Sequence, residues 1–448
     1  MNRDGFGSRL GILAAAAGSA IGLGNIWKFP YIAGENGGAA FILVYLICIF
    51  LIGMPVMLSE LVIGRKGQSN AVGSFEKVKP NSPWKFTGVL GVGTAFIILS
   101  FYSTIAGWIF AYISRAITGK LTTINPGELE GFFGNLISGS FEPVLWQFIV
   151  IFITAFIVIS GIKKGVEKYS KILMPVLLLL LIVLAIRSVT LEGAYAGLEF
   201  LFKPDFSSLS AKGVLEALGH AFFSLSLGMC TLLTYGSYVK KNEKLPSLTL
   251  QITLADTFIA LLAGIVIFPA VFAYGLSPDS GPNLIFITLP TVFHSMPFGG
   301  FFEILFFILI GIAAITSTIS LLEVPVAFFT EEFNLSRKKV TVLIAVIIFI
   351  IGVPSTLSYG VMKDMTIFGK NFFDLADFTA SNILLPIGGL LISLFVGWVW
   401  GTRNAIREAT NEGKIRFLLS GAYGFVTRFI VPIGILVILF YSTGIIKP

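Results

Sequence analysis

The chain has 448 residues, 55% of them hydrophobic and only 12% charged, with 43 phenylalanines. That composition excludes a water-soluble globule and predicts an all-α integral membrane protein built from apolar helices of about 20 residues each. The net charge of +7 does not imply nucleic acid, because the basic residues are sorted by side of a bilayer.

Eleven apolar segments are predicted, at about 10–33, 39–64, 86–117, 142–161, 166–187, 213–238, 247–275, 299–331, 337–353, 372–400 and 417–444. They occupy the chain as one membrane domain, residues 1–448. With the N-terminus in the cytoplasm, 22 of the 31 Lys and Arg residues fall inside and eight outside. This is the positive-inside bias, and an odd number of spans puts the C-terminus outside. Cys48 and Cys230 both lie in apolar segments, so no disulfide framework is implied. Arg3, Arg9 and LGILAAAAGSA imitate a signal peptide, but the apolar segment runs on past the small-residue site.

Segment one contains GSAIGLGNIWKFP, residues 18–30. Gly18, Gly22, Gly24, Asn25, Lys28 and Pro30 stand where a lipid-spanning helix would carry leucine. Irregular backbone survives at membrane depth only inside protein or against a wet cavity. Lys28 near the bilayer centre would cost about 2.5–3.5 kcal/mol on insertion scales. Segment two carries Glu60, an acid expected to face the bundle interior and accept N–H groups from a non-helical stretch. Residues 66–85 read as a polar, basic cytoplasmic loop, and segment three holds Tyr102 among aliphatic residues. A tyrosine there is most often packed core with its hydroxyl on a neighbouring carbonyl.

Segments four and five meet at a basic turn in which Gly165 and Pro175 are ten positions apart. The pair reads either as an interfacial helix start or as a cytoplasmic stretch able to unwind. Segment six holds a second anomaly, FFSLSLGMCTLLTYGSY, with Ser224, Ser226, Gly228 and Thr231 crowding its centre. Segment seven carries Asp256, and segment eight the run Thr316, Ser317, Thr318 and Ser320. Hydroxyls and carbonyls suit hard cations such as Na⁺. His220 and His294 are solitary and no zinc, nucleotide or hydrolase motif is present, so catalysis is not expected. The proline-broken 276–298 loop is apolar enough to dip over the bundle, and segment ten opens with Asp374 and Asp377.

Segments one and six begin two sets of five, so interrupted helices recur at matching positions. That is the pattern of a transport site near the bilayer midplane. Broken ends expose N–H groups that can hold a carboxylate and C=O groups that can hold a cation.

GSAIGLGNIWKFP followed by ENGGAAF, with SLSLGMC and ITSTIS, resembles the neurotransmitter:sodium symporter family from segment one through segment ten. The resemblance implies an inverted five-plus-five helix bundle, with repeats at about 10–187 and 213–400, discontinuous first and sixth helices, and an extra helix at about 417–444. It implies a multi-pass plasma-membrane protein that takes up an amino acid or amine with sodium. One sodium would be held by Ala20, Asn25, Ser224, Asp256 and the substrate carboxylate, and a second by Gly18, Ile21, Ala313, Thr316 and Ser317. Substrate would contact Ala20, Leu23, Gly24, Tyr102, Phe223, Ser226 and Met229, with Ile98, Ser317 and Leu321 as apolar walls. Lys28 with Asp377 would form an outer gate, Phe223 would lie over the substrate, and Arg3 with Glu331 would form an inner gate. Glu60 would brace the unwound stretches of both broken helices.

Where the family usually has Arg at a gate, this chain has Lys28, which lacks the bidentate fork. Asp256 replaces an asparagine, and Ala260 stands where chloride-dependent relatives carry serine, so the resemblance implies chloride independence. Gly22 stands where amine-selective relatives carry aspartate, which implies a substrate with its own carboxylate: a neutral hydrophobic or aromatic amino acid. Ending after the eleventh segment suggests a prokaryotic-type member and leaves the oligomeric state open. A channel would instead show repeated filter loops, and a substrate sensor on the same fold would share the binding residues.

Overall fold

The computed structural model describes residues 4–277 and 283–446. Arg9–Ala20 (α1) and Gly24–Glu35 (α2) make one apolar unit bent by 49° at residues 21–23. Ala39–Gly67 (α3), Lys85–Ile117 (α4), Glu142–Ile159 (α5) and Ile162–Val189 (α6) follow. Then come the short pair Ala211–Ser224 (α7) and Thr231–Ser237 (α8), split by six non-helical residues. Leu245–Ala273 (α9), Gly299–Glu332 (α10), Arg337–Leu357 (α11), Phe372–Val399 (α12) and Ser420–Ser442 (α13) complete the bundle. Among the described residues nine helices are long and apolar enough to cross a membrane, and the bent α1–α2 pair makes a tenth. The chain is a multi-pass membrane protein. The α7–α8 pair, within the predicted sixth segment, does not reach that length as a single helix.

Helix α10 runs through the middle, packed against α4, α5, α6, α11 and α1, and is the most buried span. Helices α6 and α13 are peripheral, and Phe148, Phe152 and Phe156 of α5 face outward. In lipid, helices are joined by close packing and hydrogen bonds more than by the hydrophobic effect. Gln147 of α5 shows this: its amide donates to Ser103 Oγ at 3.2 Å and accepts from Thr356 Oγ1 at 2.8 Å, linking α5 to α4 and α11. Thr154 and Thr318 bond at 2.7 Å and tie α5 to α10.

Several helices contain a π-helical turn placed by sequence. Turns at Gly24–Lys28, Ile49–Gly53, Leu284–Thr288, Phe378–Leu384 and Val426–Ile430 each end two residues before a proline. A helical proline lacks an N–H, and its ring presses on the carbonyl four residues back. A wider i→i−5 turn just upstream absorbs that pressure without breaking the helix.

The 276–298 connection folds in as expected of an apolar loop. Its helix Leu289–Ser295 is largely buried, and Phe286 stacks on Phe133 at 4.7 Å. Pro278 and Pro282 lie outside the described residues. Gly165 sits in the π turn Ile162–Glu167, where a Cβ would overlap the Ile157 carbonyl. Pro175 lies inside a continuous helix, so the 165–175 stretch is helical here, without the unwinding the spacing allows.

Candidate functional site

The site is built where two chain breaks meet. Helix α1 stops at Ala20 because Ile21 turns to an extended conformation, its N–H still held by the Ala17 carbonyl at 2.7 Å. The short break is then closed by neighbours. Gly22 N–H donates to Asn25 Oδ1 at 3.2 Å and Leu23 N–H to the Tyr102 hydroxyl at 3.4 Å. Gly22 lies so close to Ser317 that a Cβ would overlap the hydroxyl.

The second break is longer and more contorted. Helix α7 ends in a Schellman-type turn, with Leu227 N–H on the Phe222 carbonyl, Ser226 N–H on the Phe223 carbonyl, and Ser226 itself left-handed at φ 55°. Gly228 and Cys230 are also left-handed, at φ 83° and 58°. For two non-glycine residues this is costly backbone, of the kind held in place only by surrounding structure. Glu60, fully buried, supplies part of that hold by accepting from Gly228 N–H at 2.8 Å and Leu233 N–H at 3.2 Å. These bonds go to the second break and to the first turn of α8, and among the described residues Glu60 makes none to the first break. The second break is tied directly to the last turn of α1, since Ser226 Oγ donates to the Ser19 carbonyl at 2.8 Å.

Between the breaks lies a narrow cavity of about 30 Å³. Ala20, Leu23, Gly24, Ile98, Tyr102, Phe223, Ser226, Met229, Ser317 and Leu321 all line it. Every residue expected at a substrate site is thus brought together. Ser19, Gly22, Ser320 and Leu385 line it as well and were absent from that set. Ser19 and Ser320 lie in the glycine and hydroxyl runs that mark segments one and eight. Leu385 carries no mark, being a leucine among leucines.

Beside the cavity, Asn25, Ser224 and Asp256 form a fully buried cluster. Asn25 Nδ2 donates to Asp256 Oδ1 at 2.8 Å and to Ser224 Oγ at 3.2 Å, and Ser224 Oγ donates to Asp256 Oδ2 at 3.0 Å. Tyr45 donates to Ser224 Oγ at 3.1 Å. The carboxylate therefore has neutral donors but, among the described residues, no cationic side chain within ion-pair distance. A buried charge without a counter-charge is expensive, so an oxygen-rich cluster of this kind fits a small hard cation. On the other side of α1, Thr316 Oγ1 donates to the Ala313 carbonyl at 3.0 Å, and a Cβ on Gly18 would stand 3.4 Å from Thr316 Cβ. Gly18, Ala313 and Thr316 of the second expected set thus lie together, presenting hydroxyl and carbonyl groups that are hard oxygen, while Ser317 lies against Gly22.

The gate residues are placed differently. Lys28 Nζ lies 4.5 Å from the centre of the Phe223 ring, a cation–π contact, while Asp377 accepts from Ser381 Oγ at 2.8 Å. The structure does not bring Lys28 and Asp377 together as a direct ion pair. Arg3 lies outside the described residues. Glu331 accepts from the Asn70 N–H at 2.7 Å and from Ser69 Oγ at 3.3 Å.

Three polar anchors near the Glu331 end were not expected. Glu323, fully buried, receives a two-pronged hydrogen bond from Arg337 and a bond from Tyr238 at 2.8 Å. Arg65, also fully buried, pairs with Glu408 at 2.8 Å and donates to the Glu243 carbonyl. Glu167 caps the start of α1 through Gly7 N–H at 2.6 Å and Ser8 Oγ at 2.8 Å. An acid inside an apolar segment was the available signal for Glu323, the same one that singled out Glu60.

A bundle of apolar helices, with two broken helices meeting at a small cavity flanked by buried oxygen clusters, defines a membrane transport protein. The chain belongs to the sodium:neurotransmitter symporter family, whose model matches residues 3–126 and 138–448. It is 42% identical over 443 residues to the sodium-dependent transporter YhdH of Bacillus subtilis, with 98% of each chain covered. A sodium-dependent transporter of Haemophilus influenzae is 37% identical, with 97% of each covered. Among solved structures, that of MhsT in complex with L-phenylalanine matches with a TM-score of 0.91 at 50% identity, covering 98% of this chain and 100% of that one. The chain is accordingly a sodium-coupled transporter.

Proposed function

We propose that the protein is a sodium-coupled symporter of neutral hydrophobic or aromatic L-amino acids, working by alternating access and independent of chloride. The observation that carries this reading is the cavity itself. Its apolar lining residues (Ile98, Phe223, Met229, Leu321) stand with Gly22 and the Tyr102 hydroxyl, and no acidic side chain lines it to compete with a substrate carboxylate. MhsT, bound to L-phenylalanine at 50% identity, supports an aromatic or large apolar substrate. Methionine suits varied apolar shapes, which fits Met229 to that task.

Two sodium ions would be carried as co-substrates. Asn25, Ser224, Asp256 and the Ala20 carbonyl would hold one beside the substrate carboxylate. Gly18, Ile21, Ala313, Thr316 and Ser317 would hold the other between α1 and α10. Asp256 supplies next to the first ion the fixed negative charge that chloride would otherwise provide. The five-plus-five reading takes α7 and α8 as one discontinuous crossing, which brings the crossings to eleven. It places the N-terminus in the cytoplasm and the C-terminus outside the plasma membrane. Lys28 and Asp377 would then line the outer path, closing through Phe223 or bridging water rather than through a direct fork. Glu331, with Arg3, would close the inner one.

The cavity is too small for an amino acid until its walls part, so binding and wall movement are one event. The test is uptake into proteoliposomes across a panel of amino acids, with sodium replaced by choline and, separately, chloride by gluconate. Saturable, concentrative uptake that needs sodium and survives gluconate is expected. Absence of sodium-dependent uptake of every amino acid would sink the reading, and binding without uptake would favour a sensor on the same fold.

A further inference from the structure

We infer that Leu385 is a specificity-determining residue: α12 closes a side of the substrate cavity that the other lining helices leave open, and the volume at position 385 sets the largest substrate side chain admitted. The inference rests on the amino-acid reading above. Four helical regions supply the expected pocket, around Ala20, Tyr102, Ser226 and Ser317, and Leu385 adds a fifth, with 1% exposure.

Its position is fixed by backbone contact rather than by side-chain packing alone. A Cβ on Gly228 would overlap the Leu385 carbonyl, and a Cβ on Gly388 would overlap the Gly228 carbonyl. The second break is therefore in backbone contact with α12 at Gly228, which fixes Leu385 beside it. The local winding is set by the π turn Phe378–Leu384 and Pro386, with Leu385 N–H reaching five residues back to the Ala380 carbonyl. One turn before Leu385, Ser381 and Asn382 line a separate cavity of about 520 Å³ that also contains Lys28. Phe223 lines both cavities. Helix α12 thus follows the path from the wide cavity to the narrow one, and Leu385 is where it reaches the narrow one.

A leucine that merely packs would lower affinity for all substrates alike when changed. A wall residue would reorder them by size, because a single methylene in an apolar pocket is worth about tenfold or more in discrimination. The experiment compares wild type with Leu385→Ala, Leu385→Val and Leu385→Phe in proteoliposomes. Unlabelled L-valine, L-leucine, L-phenylalanine and L-tryptophan compete for sodium-dependent uptake of whichever amino acid the wild type takes up best. The readout is the ratio of tryptophan to valine apparent affinity, which cancels any uniform loss of folded protein.

That ratio is expected to rise about tenfold in Leu385→Ala and a few-fold in Leu385→Val, and to fall about tenfold in Leu385→Phe. Should Leu385→Ala not fold, the Val and Phe variants carry the test in opposite directions. Ratios within twofold of wild type, in variants that still show sodium-dependent uptake, overturn the inference while leaving the transporter reading intact. A wild type that takes up none of the panel overturns both.

Discussion

The two breaks solve one problem, irregular backbone at membrane depth, by different means. The first spans residues 21–23 and is held by two residues that also line the cavity, Tyr102 and, by contact, Ser317, and by Asn25 beside it. The second spans residues 225–230, bends through three left-handed residues, and is held from behind by Glu60, which does not line the cavity. The first break can therefore change its bonds when substrate arrives. The second is braced whether or not anything is bound. Binding energy is best spent where contacts can exchange, which assigns the responsive part of the site to α1–α2 and the rigid part to α7–α8.

Removing the brace is the severest way to break that contrast. Glu60→Ala leaves two buried N–H groups unpaired, at about 1–3 kcal/mol each. A fall in detergent thermal stability is expected with or without substrate, with Glu60→Gln, which keeps one acceptor, falling less. Equal melting of Glu60→Ala and wild type would remove the brace from the account. At the first break the effect should be on binding. Gly22→Ala places a methyl against Ser317 Oγ and 3.4 Å from the Tyr102 hydroxyl. Overpacking of about 1–3 kcal/mol lowers substrate affinity about fivefold to a hundredfold, beyond the fall in melting that the same overlap causes without substrate. Saturation binding with and without sodium checks this.

Tyr102→Phe is milder. It removes one hydroxyl bonded to Leu23 N–H and to Ser317, for about 0.5–1.5 kcal/mol, so a KM raised a few-fold is expected in initial-rate uptake. Smallest of all is Lys28→Arg. A guanidinium has the fork to reach Asp377 that an ammonium on Phe223 lacks. Release of bound substrate should slow, by less than about threefold given the modest worth of exposed ion pairs, in a dissociation-rate measurement. An unchanged Glu60→Ala melt together with a Gly22→Ala collapse in stability would reverse the division of labour between the breaks.

Much of this site was legible because membranes make chemical exceptions conspicuous. Glycines at 18, 22 and 24, the acids at 60 and 256, and the hydroxyl run at 316–320 stand out in apolar segments, since lipid tolerates none of them without a reason. The same logic was available for Glu323, which was passed over. It was not available for Leu385, whose wall position follows from the approach of two backbones that no spacing of leucines encodes.

The sequence by itself therefore determined the membrane class, the positions of the irregular stretches and the residue types gathered there, because hydropathy and backbone chemistry are local properties. Only the tertiary structure decided that Glu60 bonds the second break and the start of α8, that Lys28 rests on Phe223 without meeting Asp377, and that α12 walls the cavity. Those outcomes depend on where separate helices lie relative to one another, and helix packing is set by contacts far apart in the chain.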